Sequence, residues 1–226
     1  DLPRPTVASH RGAHCPLDVP AELHQQLADL ASAHGTTIFM VLEAALAATL
    51  SRLGGGNDIA IGTPVAGRTE AMLDDQIGLF VNTLVLRNDL SGDPSFADLL
   101  AQARSCALDA YEHQDLPFEQ LVTLINPERS LAHHPLFQVM LSLQNNRDAA
   151  LELGSAKAEM LDLDLAIAKF DLNFNLAELS DDDGQPAGIT GTLEYAADLF
   201  LPETARMIAD CLHRMLRAVA ADAQQH

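Results

Sequence analysis

The chain has no tryptophan, aromatic residues make up only 4% of its 226 positions, and 13 basic residues stand against 32 acidic ones. A net charge of -19 disfavours any surface that holds phosphate backbones or anionic lipid headgroups, so neither nucleic acid nor membrane is expected as a partner. Cysteine is scarce. Cys15, Cys106 and Cys211 are widely spaced with no CxxC pair, which suits a reducing cytosol better than a disulfide framework or a zinc site. The nine histidines show no ligand spacing with cysteines or carboxylates, and no metal is expected. A wholly apolar run of 18 residues is also missing, so no transmembrane helix is expected. The opening DLPRPTVASHRG lacks the organisation of a signal peptide, and the chain reads as a segment of a longer, cytoplasmic polypeptide.

What is present suffices for a packed core: 48% hydrophobic and 20% charged residues argue against disorder. A short strand is expected over 14–19. Pro20 then opens a helix with Leu23, Leu27 and Leu30 on its buried side, and Gly35 stops it. Thr37 can cap a second helix over 38–53, apolar nearly all round and therefore buried on most sides. The pattern predicts strands over 58–62 and 77–87, separated by a polar loop at 63–76. Ser95 can cap a helix over 96–113, and a shorter helix over 117–125 ends at Asn126-Pro127. A strand over 136–144 precedes an acidic-apolar link at 145–168. A hairpin of 170–179 with 189–200 and a final helix opened by Pro202 complete the order. These elements predict an α/β fold, a two-layer sandwich of a mixed β-sheet with helices.

Three segments carry the functional signal. Ile77–Arg87 reads IGLFVNTLVLR, His113–Glu119 reads HQDLPFE, and Arg129–Phe137 reads RSLAHHPLF. In this order they resemble the motifs of the condensation domains of nonribosomal peptide synthetases. GTPVAGR at 62–68, FDLNFNLAE at 170–178 and LEYAADLF at 193–200 extend the resemblance over nearly the whole chain. It implies that residues 1–226 are the C-terminal lobe of such a domain, similar to chloramphenicol acetyltransferase. The family's catalytic HHxxxDG motif belongs to the other, N-terminal lobe. His133 and His134 are adjacent, but HHPLFQV has no Asp-Gly at the required spacing, and they read as loop residues.

The resemblance further implies amide formation between thioesters carried on the phosphopantetheine of two carrier proteins, with no cofactor bound directly. The implied partners are the N-terminal lobe, upstream and downstream peptidyl carrier proteins, and an adjacent adenylation domain. This half then supplies a tunnel wall, a floor loop (63–76) and a latch within 145–190, and it is expected to be inactive alone. Met160, Leu161 and Leu163 would be exposed apolar groups of that latch region. A non-catalytic module that recruits a partner protein and a lobe of a free-standing acyltransferase are the alternatives.

Alternation along the strand at 136–144 sets Phe137, Val139, Leu141 and Leu143 toward the core and Gln138, Met140, Ser142 and Gln144 away from it. A solvated sheet face or a substrate passage both fit the second set. The resemblance favours the passage, lined by Gln138, Ser142 and Gln144, with Asn82 and Thr83 near it. Gly78, Arg87, His113, Asp115 and Arg129 are read as structural members of the motifs. Arg87 suits a surface salt bridge, and Asn82 can instead tie its strand to a neighbouring loop. Asp115 and Glu119 form no acid–base pair on this reading: Asp115 caps the helix that follows and Glu119 adds charge to its first turn. Asp181–Asp183 is expected to be a solvated hairpin tip, since DDDG lacks the later glutamate of a calcium loop.

Overall fold

The computed structural model describes residues 1–68, 71–73, 76–144, 166–181 and 183–225. Its strands are β1 (Gly12–Pro16), β2 (Asp58–Val65), β3 (Asn82–Asp89), β4 (Val139–Gln144), β5 (Leu172–Ser180) and β6 (Pro186–Ala196). The helices are α1 (Ala21–Ala33), α2 (Ile38–Leu50), α3 (Phe96–Glu112), α4 (Phe118–Ile125) and α5 (Pro202–Ala221). The strands form a six-stranded sheet in the order β1-β6-β5-β4-β2-β3. Strand β4 runs parallel to both β2 and β5, and the remaining pairs are antiparallel, so the sheet is mixed.

Local chemistry accounts for the helix ends. Thr37 accepts a hydrogen bond from the Met40 N–H at the start of α2, and Ser95 with Asp98 closes a capping box at the start of α3. Asn126 adopts the left-handed conformation that ends α4, and Pro202 is the first residue of α5. Helices α1, α2, α3 and α5 bury their apolar stripes in one cluster with Ile61, Leu86, Leu141, Phe174 and Leu193 of the sheet. The segment Ile38–Gly55 is long and apolar enough to cross a membrane, but here Met40–Ala47 are buried inside the fold. His24 of α1 is fully buried; its Nδ1 accepts from the Gly188 N–H and its Nε2 faces Glu178, fastening α1 to the β5–β6 hairpin.

Several strand limits move. The strand expected over 77–87 begins only at Asn82 and continues to Asp89. Its ladder with β2 runs from Val65↔Asn82 to Asp58↔Asp89, so residues 77–81 have no opposite partner and Ile77 and Leu79 stand almost fully exposed. The loop expected at 63–76 loses Thr63–Val65 to β2, and the strand expected over 14–19 is displaced to Gly12–Pro16. Strand β4 starts at Val139 because Leu136 has a φ of 68°, which breaks the extended run. Residues 145–165, with Met160, Leu161 and Leu163, lie outside the described residues, as do positions 69, 70, 74, 75 and 182.

Candidate functional site on the open sheet face

Side chains alternate across a strand, so the register identifies the second face of the sheet. Helix-facing Ile61, Leu172, Phe174, Leu176, Leu193 and Tyr195 are 0–4% exposed. Their neighbours Gly62, Asn173, Asn175, Ala177, Thr192 and Glu194 point the other way, beside Met140, Ser142 and Gln144 of β4 and Thr83 and Val85 of β3. This second face is polar and made of short side chains at its centre. Ser142 donates to Asn175 Oδ1 at 2.8 Å, and Asn173 Nδ2 approaches Glu194 Oε1 at 3.4 Å. The Oδ1 of Asn173 is buried and has no hydrogen-bond partner among the described residues.

One edge of this face is built around Asn82, the first residue of β3. Its amide donates to the carbonyls of Gln114 and Leu116, both at 2.8 Å, and its Oδ1 accepts from the N–H groups of Thr83 (2.9 Å) and Phe118 (3.0 Å). Asn82 therefore takes the helix-capping role expected of Asp115. Asp115 is exposed, Pro117 occupies the N-cap without a side-chain bond, and the Phe118 N–H is already held from across the loop. This Asn82 clamp docks α4 against β3. Phe118 then stacks on His134 (5.3 Å) and meets the edge of Phe137 (5.8 Å), with Phe170 completing the cluster.

Phe137 is the clearest departure from strict alternation. It is buried, but its ring fills the space where a side chain on Gly62 would stand, on the side of the sheet opposite Ile61. The positive φ at Leu136 turns it there before β4 begins. Gly62 is thus required by close approach: any Cβ would overlap the ring. Burial lowers the His134 pKa, so the imidazole stays neutral as a packing group between Phe118 and Phe137.

The other residues singled out by sequence fall into place as follows. Gln138 donates to the His134 carbonyl at 2.7 Å and so braces the turn before β4. Gln144, at the end of β4, is exposed. Thr83 is half-buried opposite Pro64. Arg87 makes a two-pronged, exposed pair with Asp58 at 2.7 and 2.8 Å. His113 ends α3, where its Nδ1 lies 2.8 Å from the Asp109 carbonyl, and Arg129 is exposed just beyond α4. Gly78 lies within the segment leading to β3, where a Cβ would crowd the Phe80 ring. At the hairpin tip Asp181 Oδ1 accepts from the N–H groups of Asp183 and Gln185.

Large apolar side chains are exposed before β3, at Met72, Ile77, Leu79 and Val81, and around α4, at Leu116, Leu124 and Ile125. Sequence reasoning missed Asn173, Asn175 and Glu194. Their signal was available in the strict alternation of LNFNLA in β5, where Leu172, Phe174 and Leu176 are separated by polar or small residues. Among the described residues no group of histidine, cysteine and carboxylate side chains could hold a metal.

A family model described as "Condensation domain" matches residues 1–226. The chain is 49% identical over 222 residues to a dimodular nonribosomal peptide synthase of Bacillus subtilis, covering 98% of the chain and 9% of that protein. It is 48% identical over 219 residues to an isonitrile lipopeptide synthase of Mycobacterium tuberculosis, covering 97% of the chain and again 9% of the relative. The chain thus spans less than a tenth of the length of these relatives. Among solved structures, the X-domain of teicoplanin biosynthesis in complex with OxyB superposes with a TM-score of 0.92 at 34% identity, over 100% of this chain and 49% of that one. The condensation domain of the monacolin K polyketide synthase MokA shares the fold, with a TM-score of 0.84 at 19% identity, over 100% of this chain and 51% of that one.

Proposed function

The chain belongs to the condensation-domain family, and on that premise we propose that it is the second lobe of an amide-forming domain of a nonribosomal peptide synthetase. The observation that carries this reading is the asymmetry of the sheet. One face is sealed by four helices, while the other carries polar and short side chains that the described residues leave partly exposed. Such a face is suited to meeting another lobe and enclosing a passage between the two.

In the proposed reaction the amine of one carrier-bound aminoacyl group attacks the thioester carbonyl of another. The C–N bond forms, the C–S bond breaks, and the phosphopantetheine thiol leaves with the proton that the amine gives up. The contribution of this chain is positional: it orients the two thioesters and keeps water from the acyl carbon, and proximity can supply ~7–11 kcal/mol of the barrier. Thr83, Ser142 and Gln144 line the wall, while Asn82 and Gln138 hold its shape through the backbone carbonyls they bind. The histidine that assists the amine would come from the N-terminal lobe. Upstream and downstream carrier proteins and an adenylation neighbour are the proposed partners, and the floor and latch belong to the segments around 63–76 and 145–190.

The test joins this chain to a first lobe carrying the HHxxxDG motif and supplies two loaded carrier proteins. Mass spectrometry should detect the amide product with the joined domain and none with the chain alone. Product from the chain alone overturns the division of labour. A joined domain that makes no product overturns the amide-forming reading and favours a second one, a module that recruits a partner protein. That second reading is supported by the likeness to the X-domain found in complex with OxyB.

A further inference from the structure

A cavity of 290 Å³ lies at the end of the sheet where β4 and β5 begin, close to the lower limit of the ~300–1,000 Å³ usual for ligand pockets. It adjoins the proposed passage wall. Phe170 and His134 line it, and the Phe170 ring stacks on Phe137, which lies on the side of the sheet away from the helices. Three cations, Arg4, Arg11 and Lys169, face two carboxylates, Asp171 and Asp198, around this cavity. Both carboxylates are already engaged: Asp171 accepts two N–H groups of Arg4, and Asp198 accepts from Arg11 and from the N–H and hydroxyl of Ser9. Lys169 is exposed and makes no hydrogen bond or ion pair among the described residues. The lining therefore carries one cation in excess, in a chain whose net charge is -19. Its walls are pinned, since the Leu2 N–H donates to the Leu199 carbonyl and the Ala8 N–H to the Leu131 carbonyl, which fixes the segment carrying Arg4 and Arg11.

We propose that Lys169 and Arg11 hold the phosphodiester of a carrier protein's pantetheine arm at the mouth of the passage, an assignment that rests on the amide-forming reading above. A diester carries one negative charge, which the unpaired Lys169 matches. Its two free oxygens can accept from the Lys169 ammonium and from the Arg11 N–H groups that Ser9 and Asp198 leave unused. An amine or a neutral acyl chain finds no comparable partner here, because the carboxylates of the lining are taken by arginines. The strongly negative chain repels a phosphate over most of its surface, so a local excess of positive charge decides where the charged end of the arm can rest. Anchoring that end leaves the uncharged remainder of the arm to run along the short polar side chains of the sheet, past Gln138 toward Ser142. Lys169 is a binding residue in this scheme and stays away from the bond that forms.

The test measures binding to the joined two-lobe domain by calorimetry with three probes: an aminoacyl pantetheine amide capped with a methyl phosphodiester, the same amide without phosphate, and inorganic phosphate. Wild type should bind the capped amide at least about tenfold more tightly than the uncapped one, the strength of a single charge-assisted contact. Lys169→Met should bring the two within about twofold of each other, and Lys169→Arg should keep the preference to within about threefold of wild type. A wild-type domain that binds both amides equally, or a preference that survives Lys169→Met, overturns the assignment. Inorganic phosphate that binds as tightly as the capped amide makes the cavity a site for free phosphate and overturns the arm as its ligand. A domain that prefers the capped amide yet makes no product from loaded carriers leaves the phosphate site standing and overturns the amide-forming reading. One that makes product while ignoring the phosphate overturns this assignment alone. Should Lys169→Met misfold, Arg11→Gln serves as the second variant: a selective loss of the capped amide supports the assignment, and an unchanged preference overturns it.

Discussion

The two faces of β5 differ sharply in burial and chemistry. Leu172, Phe174 and Leu176 are 0–4% exposed beneath the helices, while Asn173, Asn175 and Ala177, one residue along in each case, face outward and remain partly accessible. Packing explains the first set completely, because each side chain is there to remove apolar surface from water. The second set adds less, through single hydrogen bonds such as that from Ser142 to Asn175. The unpartnered Asn173 Oδ1 makes the fold less favourable than a satisfied amide would. The contrast separates residues that carry the core from residues that add little to it.

The largest expected effect tests the covered face. Phe174→Ala should destabilise the fold by ~3–5 kcal/mol in urea titration, because it removes a fully buried ring and leaves a cavity. Asn175→Ala, its neighbour on the open face, should cost only ~0.5–1.5 kcal/mol, the net worth of its bond to Ser142. Equal losses would erase the distinction between the faces.

Glu43 is the polar intruder on the covered side, where it accepts a hydrogen bond from Asn88 of β3. Burial pushes its carboxyl up from 4.5 to about 7, so the folded protein holds a proton that the unfolded chain releases. Its folded pKa lies above the unfolded one. The associated stability is therefore fully present below pH 4.5 and is lost as pH rises through about 7, by up to ~3 kcal/mol. Glu43→Gln should match wild type near about pH 4 and exceed it near about pH 8 in denaturation midpoint. Parallel pH profiles for the two proteins would show that another group carries the dependence.

Asn82→Ala tests the edge where the faces meet. Loss of the amide unpairs the carbonyls of Gln114 and Leu116 and the Phe118 N–H, at a cost of ~1–3 kcal/mol, and should loosen α4 in hydrogen exchange. A neutral substitution would mean that the Phe118–His134–Phe137 stack holds α4 alone. The smallest effect is expected of Arg87→Ala: its pair with Asp58 is exposed on both sides, and the thermal midpoint should not move measurably.

Much of this was legible in the chain itself. Helix starts were readable wherever a short-range device operates, as at Thr37, Ser95 and Pro202, because capping involves residues within one turn of each other. The mixed α/β class followed from the order of the periodic segments. What misled was the apolar run at 77–81, whose pattern suits a strand but whose neighbours offer no ladder to join. Phe137 misled for a related reason, since alternation holds only inside a strand and the chain turns at Leu136. Asn82 and Asp115 show the limit for polar groups: both have capping side chains, and sequence distance favours Asp115, but the fold brings Asn82 to the Phe118 N–H across 36 positions.

The sequence alone therefore determined the helices, their caps, the buried stripes and the family motifs, all of which depend on residues close together in the chain. Tertiary structure alone decided which face of the sheet the helices cover, that Asn82 rather than Asp115 anchors α4, and that Asn173 and Glu194 meet across β5 and β6. These are contacts between strands and loops far apart in sequence. They exist only once the strand order and register are set, and no local pattern encodes that pairing.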